Sequence, residues 1–140
     1  KKYPSHKFIA EETSAGLKQD HLLLKQVLDA VNDALRYEDK TNKLLNETEL
    51  CDAIDRGDHP GGDGALTWVL DPIDGTKGFM RKQQYCIALG LLKDGEAIMG
   101  VLGCPNLPLT LENVTKFESR SELTGGSIFH AIRGQGTYMQ

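Results

Sequence analysis

The sequence has no basic run, no apolar stretch of membrane-spanning length and no closely spaced pair of cysteines. Each absence removes a class of function. With 16 Lys and Arg against 20 Asp and Glu, and a net charge of -4, the chain lacks the positive footprint that a nucleic-acid polymer requires. Its longest apolar stretches are strand-sized, so neither a transmembrane helix nor a membrane partner is expected. No secretory leader is visible; "KKYPSHKFIAEE" enters a strand at once, an abrupt start that suggests a piece of a longer chain. Cys51, Cys86 and Cys104 are odd in number and far apart, which argues against a zinc site or a disulfide framework. They read as buried, reduced thiols in a reducing compartment, the cytoplasm first and an organelle second. Two Asn-x-Thr triplets, Asn46-Glu47-Thr48 and Asn113-Val114-Thr115, read as unglycosylated.

What is present fits one domain of α+β class with a moderate core, spread over 140 residues. "KFIA", Lys7 to Ala10, reads as a strand that ends at Glu11-Glu12, and "TSAGL" as a loop. Leu24, Val27, Leu28, Val31 and Leu35 recur at helical spacing, which predicts a helix from His21 to about Tyr37. Asn46 and Glu49 have capping-box spacing, so a second, shorter helix is predicted there. Arg56 to Ala65 is rich in glycine and proline and reads as a surface loop. "LTWVLD" is a strand that brings Trp68 into the core. "YCIALGLLKDGEAIMGVLGC" is a hairpin turning at Asp94-Gly95, and "SIFHAIRGQGTYM" is another turning near Arg133 to Gly136. His130 lies in an apolar strand pattern and reads as structural.

The chemistry concentrates in "WVLDPIDGTKGF", Trp68 to Phe79. Acids at Asp71 and Asp74 follow directly on an apolar strand. Proline stops the ladder after Asp71, and Asp74 suits a helix N-cap with Gly75 and Thr76 in the first turn. Free amides at such a turn favour a phosphate. Carboxylates beside a phosphate repel it unless cations lie between them, and Mg²⁺ takes carboxylate and phosphate oxygens. On spacing alone, an ordinary capped turn stays open beside this metal–phosphate reading.

"WVLDPIDGTKGF" resembles the core motif of the Mg²⁺-dependent, lithium-sensitive phosphatases of the inositol monophosphatase family, and "FIAEETSAG" resembles its upstream Glu-Glu motif. "KGF", "GVLGCPNL" and "AIRGQGTY" most resemble the family's 3'(2'),5'-bisphosphate nucleotidases. The resemblance runs from Tyr3 to Tyr138 and is weakest between Gln19 and Ala65. It implies a layered α/β sandwich built mainly on antiparallel sheet. It also implies a small-molecule substrate, adenosine 3',5'-bisphosphate, a by-product of sulfate transfer, from which a phosphate is removed. By matching position, Glu11, Asp71, the Ile73 carbonyl and Asp74 would be metal ligands. Thr76 would orient the attacking water, and the Gly75 and Thr76 amides would hold the phosphate. For Lys77, neutralising phosphate and plain solvation stay equally open. Glu12 reads first as a surface acid.

The family has a further metal-binding aspartate upstream of Glu11, and another in a downstream "WD" motif within a C-terminal α/β half. Neither motif occurs here. Residues 1–140 are therefore expected to be part of an N-terminal catalytic domain that needs the missing parts of its own chain, and to be inactive alone. An inositol phosphate phosphatase is the nearest alternative. An inactive fragment with a binding or assembly role is the alternative of another class.

Overall fold

The computed structural model describes residues 5–62, 66–107 and 125–140. The chain divides into two compact units, Glu12–Asp58 and the remainder. One division falls inside the glycine-rich loop and the other between Glu11 and Glu12. Lys1 to Pro4, the end of that loop at residues 63–65, and the Asn113 triplet lie outside the described residues.

The helical unit contains α1 (Ala15–Gln19), α2 (His21–Glu38) and α3 (Glu47–Asp55). Helix α1 replaces the loop read at "TSAGL". Its Ser14 is fully buried, and the Asp55 carboxylate accepts both from the Ser14 backbone N–H (2.8 Å) and from its hydroxyl (2.7 Å). A distant residue thus supplies the anchor that the local sequence lacks. Helix α2 begins at Asp20, whose side chain accepts from the Leu23 N–H, and it ends one residue beyond the predicted limit. The capping box of α3 forms as read: the Asn46 side chain accepts from the Glu49 N–H, while Glu49 accepts from the Asn46 N–H. Leu24, Leu50 and Cys51 make the buried core of this unit, surrounded by Leu17, Val27, Leu28, Val31, Leu45 and Ile54. Buried Asn32 bonds both the N–H and the carbonyl of Leu45, so the connector is fixed to α2 without an unsatisfied amide.

The other unit is a six-stranded sheet in the order β1-β2-β3-β4-β5-β6. Its strands are β1 (Lys7–Ala10), β2 (Leu66–Asp74), β3 (Cys86–Lys93), β4 (Glu96–Cys104), β5 (Ser127–Ile132) and β6 (Gly136–Met139). Only β1 and β2 are parallel; the rest is an antiparallel meander, in keeping with the α+β reading. Asp94 and Gly95 both have positive φ (51° and 80°), the signature of a type I′ turn, and Lys93 faces Glu96 across it. Directly opposed residues share a face, so register sorts the side chains. Val69, Asp71, Ala88, Gly90, Gly100, Leu102, Ala131 and Phe129 fall on one face. Alanine and glycine in mid-sheet leave an apolar trough there of about 470 Å³. Apolar side chains on both faces keep large exposed areas, with Leu102 at 43% and Tyr138 at 56%.

One expectation changes in this unit. Trp68 is half-buried rather than a core residue, and its indole N–H donates to His6 Nδ1 at 2.8 Å. That bond ties His6 to the sheet. His130 stacks on Tyr138 across β5 and β6, with ring centroids 5.4 Å apart, in keeping with a structural role.

Candidate active site

Strand β1 runs parallel to β2 with Ala10 opposite Leu70, and the Glu11 N–H donates to the Leu70 carbonyl at 3.3 Å. One residue further on, Glu11, just past the end of β1, stands beside Asp71 within β2. Two acids sixty positions apart in sequence thus become neighbours at one end of the sheet.

β2 does not stop at Asp71, as the proline suggested; it continues to Asp74. The register shifts between Asp71 and Asp74. Pro72 sits within this irregular stretch, where a missing N–H costs no ladder bond. The Asp71 carboxylate turns back to accept from the Ile73 N–H at 3.0 Å, which fixes the bend. Asp74 is exposed and is not the helix cap. Gly75 takes that place with φ 89° and ψ 41°, a left-handed conformation that glycine adopts without strain. The short helix α4 follows, Thr76–Met80. The Thr76 hydroxyl donates to the Ile73 carbonyl at 3.3 Å, so two of the predicted site residues meet directly. Lys77 is exposed on the first turn.

The α4 turn is held against the start of β3. Gly78 O accepts from the Gln83 N–H at 2.7 Å, and Phe79 meets Tyr85 edge to face at 5.0 Å. Buried Asn106 completes the clamp: its amide donates to Gln83 O (2.7 Å), and its carbonyl accepts from Gln84 Nε2 (2.5 Å). The sequence signalled Asn106 only as part of "GCPNL". Its role in holding the loop behind Gly75-Thr76 needed the fold.

Register aligns a second set of groups. Asp74 faces Cys86, and Cys104 faces Ser127. Ile87 opposite Gly103 sets Cys86 opposite Cys104. Asp74, Cys86, Cys104 and Ser127 therefore form one row across four strands. The Cys86 thiol donates to Asp74 Oδ2 at 3.6 Å. Burial, followed by the bond to Asp74, pushes the Cys86 thiol up to about 11. Burial raises Cys104 as well, partly opposed by a thiol–thiol hydrogen bond with Cys86. The cysteines are all free, as read, but only Cys51 is fully buried; Cys86 and Cys104 are half-buried.

Among the described residues no three His, Cys, Asp or Glu side chains converge closely enough to hold a metal ion by themselves. The oxygen donors at this edge are Glu11, Asp71, Asp74 and the Ile73 carbonyl. Their chemistry suits Mg²⁺, a hard cation that takes a few carboxylates and retains other oxygen ligands.

A model of the inositol monophosphatase family matches residues 1–140. The chain is 46% identical over 136 residues to 3'(2'),5'-bisphosphate nucleotidase 1 of Arabidopsis thaliana, covering 94% of this chain and 38% of that protein. It is 38% identical over 146 residues to the 3'(2'),5'-bisphosphate nucleotidase of Emericella nidulans, covering 98% of this chain and 42% of that one. It thus spans about two fifths of the length of these curated relatives. A solved calcium-bound family protein from Staphylococcus aureus aligns over 98% of this chain and 30% of its own, at 19% identity and a TM-score of 0.41. No described helix is long and apolar enough to cross a membrane.

Proposed function

Since the chain belongs to the inositol monophosphatase family, we propose that its protein is a Mg²⁺-dependent phosphatase that removes the 3' (or 2') phosphate of adenosine 3',5'-bisphosphate. The observation that carries this reading is the strand-end pairing of Glu11 with Asp71, followed by the glycine turn at Gly75-Thr76. The two nucleotidase relatives support the substrate class.

In this reading Glu11, Asp71, the Ile73 carbonyl and Asp74 hold Mg²⁺, and ligands from elsewhere in the full protein complete the shell. Residues 1–140 are then one part of the catalytic domain. When bound, Mg²⁺ supplies Lewis acidity to the transferring phosphoryl group and makes hydroxide available near neutral pH. The chain's own residues do the positioning. Gly75 and Thr76 present backbone N–H groups to the phosphate, with the left-handed Gly75 setting the turn. The Thr76 hydroxyl, now donating to Ile73 O, has a lone pair left to accept from and align a water. Lys77 sits one residue further and offsets phosphate charge.

The test is a comparison of kcat/KM for adenosine 3',5'-bisphosphate and for inositol monophosphate, using the full-length protein with Mg²⁺, with and without Li⁺. Preference for the bisphosphate and inhibition by Li⁺ are expected. A clear preference for the inositol ester would move the protein to the inositol phosphatases of the same family. No Mg²⁺-dependent phosphate release from either would overturn the reading.

A further inference from the structure

We propose that Asn106 is a positioning residue for the phosphate turn: it seats the segment on which Gly75 and Thr76 rest, and so sets the turnover rate without touching substrate. Helix α4 has five residues, no side-chain cap and no buried residue. A helix of that length does not hold its own shape in water, so its amides point where its backing puts them. The backing is the segment from Gln83 to Tyr85. A Cβ on Gly75 would lie 3.6 Å from both the Gln84 carbonyl oxygen and the Tyr85 Cα, so the turn rests against that backbone. Gln83 closes on Gly78 through its N–H, and Tyr85 closes on Phe79 through its ring.

Asn106 lies buried in the turn after β4, two strands away from β2. Its side-chain amide donates to the Gln83 carbonyl, and its backbone carbonyl accepts from the Gln84 side chain. The turn that carries it is fixed independently. The Leu107 N–H donates to the Cys104 carbonyl (3.1 Å), and fully buried Ser127 donates its hydroxyl to the Leu107 carbonyl (2.8 Å). Gly126 packs so closely that a Cβ there would lie 2.6 Å from the Cys104 carbonyl oxygen and 2.7 Å from the Pro105 Cα. Asn106 is thus a fixed point, whereas Gly75 and Thr76 are exposed. Without the Asn106 amide, the Gln83 carbonyl loses this bond and the segment is free to drift from the turn. The inference rests on the phosphatase reading, in which the turn amides hold the phosphate and Thr76 aligns the water. A misplacement of about 1 Å in such groups costs roughly a hundredfold in rate. Alignment is felt in the transition state more than in the bound substrate, so kcat falls while KM holds.

The experiment compares the full-length protein with two variants. Asn106→Leu keeps the bulk and removes the donor; Gln84→Met removes the other bond from a half-buried side chain. Each is assayed with Mg²⁺ well below its melting temperature, and kcat is stated per folded molecule. A kcat lower by about ten- to a hundredfold is expected in Asn106→Leu, with a smaller fall in Gln84→Met. KM for adenosine 3',5'-bisphosphate should stay within about threefold of the parent. Hydrogen exchange of the same proteins should be faster by about fivefold or more at the Gly78, Phe79 and Gln83 amides, and unchanged in the β3–β4 hairpin. A purely structural role would lower the melting temperature and speed exchange throughout the sheet, with kcat per folded molecule unchanged; that result would overturn the proposal. If Asn106→Leu does not fold, Gln84→Met decides by the same readings. Phosphate release absent from the parent itself would overturn the phosphatase reading instead. Exchange confined to the turn, or spread over the sheet, would then still decide whether Asn106 positions it.

Discussion

Replacing Gly78 by alanine should be among the most damaging small changes to this chain. A Cβ at this position would lie 2.0 Å from the Gln84 carbonyl oxygen and 3.2 Å from its carbon. Carbon and carbonyl oxygen approach to roughly 3.3 Å at closest comfort, so the backbones must part by about 1.3 Å. Both sides are main chain, and neither can turn aside as a flexible side chain would. The separation would break the Gln83 N–H bond to Gly78 O and strain the Asn106 clamp on Gln83 and Gln84. Overpacking costs about 1–3 kcal/mol and a lost backbone hydrogen bond about 1 kcal/mol. The gain of alanine over glycine in a helix offsets up to about 1 kcal/mol of that. A net loss of about 1–3 kcal/mol follows, read as a lower urea midpoint with unchanged slope. Gly16 is the control. Its Cβ would meet nothing within 4 Å, and it lies inside α1, so Gly16→Ala should be neutral or stabilising. If Gly78→Ala unfolds within about 0.5 kcal/mol of the parent, the tight packing of α4 on the Gln84 backbone is wrong.

Two further changes probe each unit in turn. Asp74→Asn in the full-length protein should lower Mg²⁺-dependent turnover by about a hundredfold or more and leave the melting temperature nearly unchanged; near-normal turnover at saturating Mg²⁺ would remove Asp74 from the ligand set. In the helical unit, hydrogen bonds from Lys18 and Ser14 hold the Asp55 carboxyl down to about 2, below its ordinary 3.8. A depressed carboxyl stabilises the fold fully above its unfolded value and loses that contribution as pH falls toward the folded value. The melting-temperature gap between the parent and Asp55→Asn should therefore be widest above about pH 4 and close between pH 4 and 2; a gap independent of pH would refute the carboxylate's role.

Periodic elements were legible, and so were turns with a demanding backbone. Helix α2 follows from its leucine and valine spacing, α3 from Asn46 and Glu49, and the first hairpin from Asp94-Gly95. Helix α1 was hidden because its anchor, Asp55, lies 41 positions from Ser14. Pro72 signalled the end of a strand, yet an irregular register absorbed it and carried β2 on to Asp74. The candidate acids stood out as a motif. Their neighbours Cys86 and Asn106 did not, since only strand register and a loop clamp bring them to the site.

The parallel pairing of β1 with β2 also bears on the order of assembly. Strands β2 to β4 follow one another closely in the chain, and β3 meets β4 through a two-residue turn. Lys7 meets Thr67 only after the whole helical unit has been spanned. Loop-closure entropy grows with sequence separation, and long-range contacts form late when local ones can form first. The meander is the local part, and β1 is the strand that must come from afar. Glu11 rides at the end of that strand, so the pair of acids is completed in the same event that completes the sheet.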